Sequence, residues 1–139
     1  MSGMKEDALL YVVQKAFIRK GDKVLVLNDP EEGLDFPGGK IQEGESDLNE
    51  SLKREVREES GLEISIKEPF TAWTETFPAN HRLAGHRVVL IGYRCDYVSG
   101  EVKISEEHDS FRWVTKETSN EVDDGTSYFG ILQRYFSGT

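Results

Sequence analysis

The segment that most constrains the fold spans residues 38–62 and reads GGKIQEGESDLNESLKREVREESGL. It joins a Gly-Gly turn and an acidic loop to one helix, in which Leu48, Leu52 and Val56 recur at four-residue spacing and predict a buried stripe. A helix with a single apolar stripe needs an apolar surface to pack against, so the segment requires a sheet beside it.

The ends of this helix are marked by residues that favour capping. Asp47 followed three residues later by Glu50 resembles a capping box, so the helix is predicted to begin at Ser46 or Asp47. Gly61 is typical of a C-terminal cap.

Three glutamates, Glu55, Glu58 and Glu59, lie three and four residues apart and therefore share one helix face. Carboxylates near a helix C-terminus oppose the helix dipole by roughly 0.3–1 kcal/mol each. A divalent cation would offset this cost, and oxygen ligands without nearby His or Cys favour magnesium or manganese over zinc. The alternative interpretation is a solvated acidic face.

The remaining segments predict a single α/β domain. Residues 8–18 and 24–27 flank a Gly-Asp turn and predict a β-hairpin. Apolar positions at helical spacing after residue 127 predict a C-terminal helix. The order of segments indicates a mixed β-sheet between two main helices, in one domain of residues 1–139 with a flexible N-terminus at 1–7. Further strands are predicted at residues 63–66, 70–77, 87–97, 101–104 and 111–114.

Composition narrows the classes of partner. The chain has 17 Lys and Arg against 26 Asp and Glu, a formal charge of −9, which argues against duplex nucleic acid or an anionic membrane as partner. A phosphate-bearing substrate would need metal ions to neutralise it. The single cysteine, Cys95, cannot form an internal disulfide and indicates a reducing cytoplasm. No apolar run approaches the roughly 18 residues that span a bilayer. For the oligomeric state, we expect a monomer or homodimer.

The 38–62 segment resembles the Nudix box, in which Gly, five residues, Glu, seven residues and then Arg-Glu-apolar-any-Glu-Glu-any-Gly-apolar follow in order. Gly39 and Glu45 have the required separation, and residues 54–62, Arg-Glu-Val-Arg-Glu-Glu-Ser-Gly-Leu, match the second half. One departure is that eight residues separate Glu45 from Arg54, and we place the extra one before the helix, among residues 46–48. Residues 35–41 further resemble the run that opens the box in the MutT branch.

The resemblance implies a Nudix-like α/β/α sandwich and a set of site residues. Glu58 and Glu59 are implied as metal ligands, and Glu55 as a ligand or a catalytic base. The Gly38 carbonyl is implied to complete the metal shell. Arg54 is implied to orient the cluster by pairing with Glu45.

A second acidic loop, residues 105–109, is where the resemblance places a distant general base. We favour Glu107, as base and metal ligand, from its distance before Trp113, and Glu106 and His108 remain alternatives. A solvated acidic turn is the competing interpretation.

Substrate contacts are expected at the start of the box. Phe36, Gly39 and Lys40 are the predicted substrate-binding residues, because a glycine turn allows close approach of a ligand and an aromatic ring can stack on a base. Trp73 and Phe77 are further aromatic candidates, and for all three rings a core position on a strand is the competing interpretation.

The resemblance implies Mg²⁺-dependent hydrolysis, with Mn²⁺ as a possible substitute, of a nucleoside diphosphate linked to another group. A MutT-like pyrophosphohydrolase of nucleoside triphosphates is the leading hypothesis. The alternatives are hydrolysis of ADP-ribose, a nucleotide sugar or a dinucleoside polyphosphate, and a non-catalytic nucleotide-binding module.

Overall fold

The computed structural model of the protein describes residues 5–138. Seven strands and two α-helices follow one another along these residues, with a short 3₁₀ turn at Ser119–Val122 before the last helix. The elements are β1 (Tyr11–Lys20), β2 (Lys23–Asp29), β3 (Gly33–Asp35), β4 (Gly38–Lys40), α1 (Leu48–Ser60), β5 (Glu63–Thr76), β6 (Arg87–Ser99), β7 (Ser110–Val114) and α2 (Ser127–Phe136).

The strands form one mixed sheet in the order β3-β2-β1-β6-β5, with β4 paired to β1 and β7 paired to β2. β1 and β6 run parallel, and the other pairs are antiparallel. The predicted β1–β2 hairpin is confirmed. β1 therefore lies at the centre of the sheet and holds the glycine turn, through β4, along part of its length.

Side chains of β2 alternate between two cores, as the pleat of a strand requires. Leu25 and Leu27 pack with Leu52 and Val56 of α1. Val24 and Val26 instead join the cluster on the side of α2. The predicted fold, a mixed sheet between two main helices, is confirmed.

α1 begins at Leu48, one residue after the nearer predicted start, with Asp47 as its N-cap, and it ends before Gly61. The Asp47 carboxylate accepts hydrogen bonds from the amides of Asn49 and Glu50 at 3.0 and 3.2 Å. Gly61 adopts the left-handed conformation, with φ of 75°, and closes the helix. Leu48 is the exception, because it occupies the first helical residue and is 41% exposed. The buried stripe thus consists of Leu52 and Val56 without Leu48.

Two strand predictions are wrong. The segments 63–66 and 70–77 belong to one strand, β5, in which irregularities beside Pro69 let pairing with β6 continue. Residues 101–104 form no strand, because this segment crosses the end of α1. There the Lys103 amide donates to the Ser60 carbonyl at 2.9 Å and satisfies a helix-end acceptor.

The predicted flexible N-terminus at 1–7 stays a prediction. Residues 1–4 lie outside the described part of the chain, and residues 5–7 are exposed and belong to no helix or strand. Within residues 5–138, neither helix combines the length and apolar character needed to cross a membrane.

Candidate active site

A cleft of about 670 Å³ opens beside the glycine turn, and residues of β1, β3, β4, α1, β5, β6 and α2 line it. Its lining includes Lys15, Gly38, Gly39, Lys40 and Glu59. The structure thus brings the turn and one of the three α1 glutamates to a common cavity.

Arg54 ties the acidic loop to the face of α1 that carries the glutamates. Its Nε and Nη2 donate to the two carboxylate oxygens of Glu45, each at 2.9 Å. The same guanidinium reaches Glu55 at 2.9 Å and Glu58 at 3.0 Å. The hydrogen bonds from Arg54, together with those from the Gln42 amide and the Ser51 hydroxyl, hold the pKa of Glu45 down at about 2. The contact between Glu45 and Arg54 is therefore made despite the extra residue between them.

The glycine turn lies directly against two of the glutamates. The Gly38 amide donates to Glu59 Oε1 at 3.1 Å. A β-carbon on Gly39 would fall 2.5 Å from Glu55 Oε2, so the carboxylate would have to move if any other residue stood there. Gly38 has a φ of 151°, and a β-carbon there would meet the Gln14 carbonyl at 1.9 Å. Gly38 is required by the close approach of β4 to the β1 backbone, whereas Gly39 leaves the Glu55 carboxylate in its observed position.

Burial disfavours the ionised form of two of these carboxylates, Glu55 and Glu59. Glu59 is 9% exposed, and burial raises its pKa to about 7, although Lys15 opposes the shift. Burial also raises the pKa of Glu55, against the stabilising effect of Arg54. Glu58 is largely exposed and is held by Arg54 alone among its described contacts.

The residues fit a hard divalent cation by donor type. The glutamates and the Gly38 carbonyl offer only oxygen, and magnesium and manganese prefer oxygen. Glu55 and Glu59 are buried carboxylates, and burial raises the pKa of both, so a cation bound beside them would favour their charged forms. Among the described residues, no three acidic, histidine or cysteine side chains already converge as a metal site, since Arg54 binds Glu55 and Glu58 while Gly38 binds Glu59.

A buried charge network that the sequence analysis missed borders the same cleft. Lys15 of β1 lies 2.9 Å from Asp35 Oδ1 and donates to the Phe36 carbonyl at 3.3 Å. His108 Nε2 lies 2.9 Å from the other oxygen of Asp35. Burial would lower the pKa of Lys15, but the Asp35 carboxylate, Tyr128 and Glu59 together raise it. The position of Lys15 inside the apolar run of β1 could have indicated this network, because a buried cation needs an anionic partner.

The second acidic loop divides into an exposed and a buried part. Glu107 is exposed and lines the cleft, whereas Glu106 is exposed and does not belong to the lining. The His108 side chain is 1% exposed and is occupied by Asp35. His108 is therefore poorly placed to act on a substrate. The alternative prediction that His108 is the general base is wrong, because its ring is buried against Asp35.

The predicted substrate-binding residues have different fates. Gly39 and Lys40 line the cleft, and Lys40 Nζ lies 5.9 Å from the centre of the Phe77 ring. Phe36 is fully buried and stacks on Phe17 at 4.0 Å, so its ring has no free face for a base. The prediction for Phe36 is wrong, because the residue belongs to the core between the sheet and α2. Phe77 lines the cleft, stacked on His81 at 4.4 Å.

Comparison with known proteins agrees with this architecture. A nucleoside triphosphatase NudI of Escherichia coli is 33% identical over 87 residues, which is 58% of this chain and 60% of the relative. The matched region thus spans less than two thirds of the length of that relative.

Solved structures extend the similarity over nearly the whole chain. A MutT protein from Methanosarcina mazei superposes with a TM-score of 0.76 and 26% identity, covering 96% of both chains. A Caenorhabditis elegans Ap4A hydrolase, in a binary complex, has a TM-score of 0.70 at 22% identity over 93% of this chain and 96% of the other, a likeness of fold. A family model described as the NUDIX domain matches residues 11–134. Since this match takes in the mixed sheet, the glycine turn and the helix that Arg54 braces, the chain belongs to the Nudix family.

Proposed function

We propose that this protein is a Mg²⁺-dependent hydrolase of phosphoric anhydrides, with Mn²⁺ as a substitute cation. Its proposed substrates are nucleoside triphosphates, which it cleaves to the monophosphate and pyrophosphate. The observation that carries the proposal is the position of Glu59 and the Gly38–Gly39 turn together in the wall of one cleft, with Glu55 directly behind the turn.

The charge balance of the cleft supports a cation-dependent reaction. Glu59 and Glu107 both line the cleft, in a chain whose formal charge is −9. A triphosphate would be repelled by these carboxylates unless a cation lay between them. A bound divalent cation supplies neutralisation of phosphate oxygens and acidifies water.

Each side chain has a proposed role. Glu55, Glu58, Glu59 and the Gly38 carbonyl would hold the cation, with Glu107 as a further ligand or as the base that takes a proton from water. Arg54 orients the glutamates, since it contacts Glu55 and Glu58 and is itself fixed by Glu45. Gly39 and Lys40 are proposed to contact the phosphates, because both line the cleft. The Lys40 ammonium group can only donate hydrogen bonds, and phosphate oxygens accept them.

The choice of triphosphates rests on the relatives. The Escherichia coli relative is named a nucleoside triphosphatase, and it matches this chain at 33% identity over 87 residues. Nudix folds accommodate many substrates, so ADP-ribose, nucleotide sugars and dinucleoside polyphosphates are the alternatives that a substrate screen has to include. We place the activity in the cytoplasm, as the single buried Cys95 suggests.

The proposal is tested by measuring phosphate and pyrophosphate release across these compounds, with and without Mg²⁺. We expect cleavage of at least one nucleoside triphosphate that requires Mg²⁺. Cleavage of another class instead would reassign the substrate. Tight binding of a nucleotide without cleavage of any would favour a non-catalytic nucleotide-binding module.

The metal site is tested by replacing Glu58 with Gln. We expect the variant to fold and to lose most Mg²⁺-dependent turnover. Glu50→Gln on the same helix is the matched control, because Glu50 is exposed and lies 3.9 Å from Lys53, outside the cluster. Full turnover in a folded Glu58→Gln variant would reject the assignment of Glu58.

A further inference from the structure

His108 is the buried member of an otherwise exposed acidic loop. The residues around it, Glu106, Glu107 and Asp109, are exposed, while its side chain is 1% exposed. Its Nε2 lies 2.9 Å from Asp35 Oδ2, although the two residues are 73 positions apart in the chain. The ring therefore connects the loop to the end of β3.

This connection carries a cost. His108 Nδ1 is buried and has no hydrogen-bond partner among the described residues. An unpartnered buried polar atom is unfavourable, and an apolar side chain of similar shape would avoid the penalty. The advantage of a histidine over an apolar residue at this position is therefore the hydrogen bond between its Nε2 and Asp35.

The other end of that bond is fixed. Asp35 also pairs with Lys15 of the central strand β1, at 2.9 Å. Asp35 ends β3, and β4 begins at Gly38 three residues later, so the anchor lies next to the glycine turn. Lys15, Asp35, Gly38 and Glu59 all line the cleft.

The loop is restrained on both sides of Glu107. The His108 amide donates to the Ser105 carbonyl at 3.2 Å, which closes a turn around Glu106 and Glu107. The Asp109 amide donates to the Asn28 carbonyl of β2 at 3.1 Å, and Asn28 Nδ2 donates back to Asp109 Oδ1 at 2.9 Å. Glu107, immediately before the buried ring, lines the cleft.

We propose that His108 is a positioning residue, which donates from Nε2 to Asp35 and thereby holds Glu107 at the cleft wall. The inference rests on the proposed function, because His108 affects the reaction only by positioning the Glu107 carboxylate. The imidazole itself does not contact the substrate. Asp35 serves as its anchor, and Lys15 holds Asp35 in place.

The test compares His108→Leu, which cannot donate, with His108→Gln, which keeps an N–H group. Each change is made in the wild type and in Glu107→Gln, and kcat and KM are measured with Mg²⁺ and the nucleotide that the screen identifies. Ile64→Val serves as a control for core truncation, because Ile64 is buried among the α1 cluster and does not line the cleft. If His108→Leu does not fold, His108→Asn replaces it, since its shorter side chain carries a donor that falls short of Asp35.

A positioned base is typically worth about 100- to 10,000-fold in rate, so we expect His108→Leu to lower kcat at least ~10-fold while KM changes less than ~3-fold. His108→Gln should recover most of the loss. In the Glu107→Gln background, His108→Leu should change kcat by less than about 2-fold, because the group it positions is already disabled.

Equal losses of kcat from His108→Leu in both backgrounds would overturn the inference, as would an unaffected kcat in His108→Leu or in Glu107→Gln. A failure of the proposed function is distinguishable, since it appears as absence of turnover in the wild type. Amide hydrogen exchange over residues 105–109 provides a measurement that does not depend on turnover. If exchange in His108→Leu is not faster than in wild type, His108 does not restrain this loop and the inference is contradicted.

Discussion

Replacing Gly39 with Ala tests how closely the glycine turn must approach α1. The added β-carbon would lie 2.5 Å from Glu55 Oε2 and 2.6 Å from its carboxyl carbon. Ordinary contact is about 3.5–4 Å, so the carboxylate has to retreat by about 1 Å. That movement disturbs its 2.9 Å bond to Arg54. Because a misplacement of about 1 Å can cost roughly 100-fold in rate, we expect kcat to fall by about that factor.

Stability should change little in the same variant. Gly39 is not among the glycines with positive φ, so alanine is compatible with its backbone and gains about 0.4–1 kcal/mol from the unfolded state. Displacement of a side-chain end offsets this gain, and we expect the free energy of unfolding to stay within about 1 kcal/mol of wild type.

The assay combines kcat from phosphate release with urea unfolding. Gly130→Ala is the control, because Gly130 lies inside α2 with no atom within 4 Å of an added β-carbon. It should gain about 0.5–1 kcal/mol of stability and keep its rate. A Gly39→Ala variant with wild-type kcat, or one that loses rate only in proportion to its unfolded fraction, would show that the position of the Glu55 carboxylate against the turn does not control the rate.

Three further perturbations test the core and the buried charges. Lys15→Met should lower the free energy of unfolding by roughly 3–5 kcal/mol in urea titrations, since the largely buried Asp35 loses its cation. Adding Asp35→Leu should recover only part of this loss, because His108 Nε2 then loses its hydrogen-bond partner. Phe36→Leu should cost about 1–3 kcal/mol in the same assay without altering which nucleotide is preferred, because the ring is buried away from the cleft. Burial raises the pKa of Glu59 from 4.5 in the unfolded chain to about 7, so the folded state holds the extra proton between these values. Stability of the protein in chelator should therefore fall as pH rises through this window, and Glu59→Gln should abolish that part of the pH dependence.

The parts of the site that sequence predicted well depend on local interactions. Asp47 and Gly61 cap α1 through bonds to amides and carbonyls within a few residues, so the residue types were sufficient. The contact between Glu45 and Arg54 also lies within one loop and the first two turns of α1. Glu45 additionally accepts from the Gln42 amide and the Ser51 hydroxyl, which fixes the loop around the extra residue.

The parts that were missed depend on the register of the sheet. Lys15, Asp35 and His108 come from β1, β3 and a distant loop, and no sequence spacing indicates that they meet. Phe36 was predicted at the substrate because an aromatic precedes the glycine turn. Strand alternation at β3 instead turns its ring into the core beside Phe17. The predicted gap between residues 66 and 70 is likewise absent, because irregularities in the pairing of the edge strand β5 with β6 carry β5 past Pro69.

The central claim is that the α1 glutamates and the glycine turn form a cation-dependent hydrolytic site. Its most direct test is the initial rate of nucleotide hydrolysis as Mg²⁺ is titrated into wild type, Glu59→Gln and Glu50→Gln. We expect saturable dependence of the rate on Mg²⁺ in wild type and Glu50→Gln, and loss of this dependence in folded Glu59→Gln. A rate that is independent of Mg²⁺, or a Glu59→Gln titration that matches wild type, would contradict the central claim.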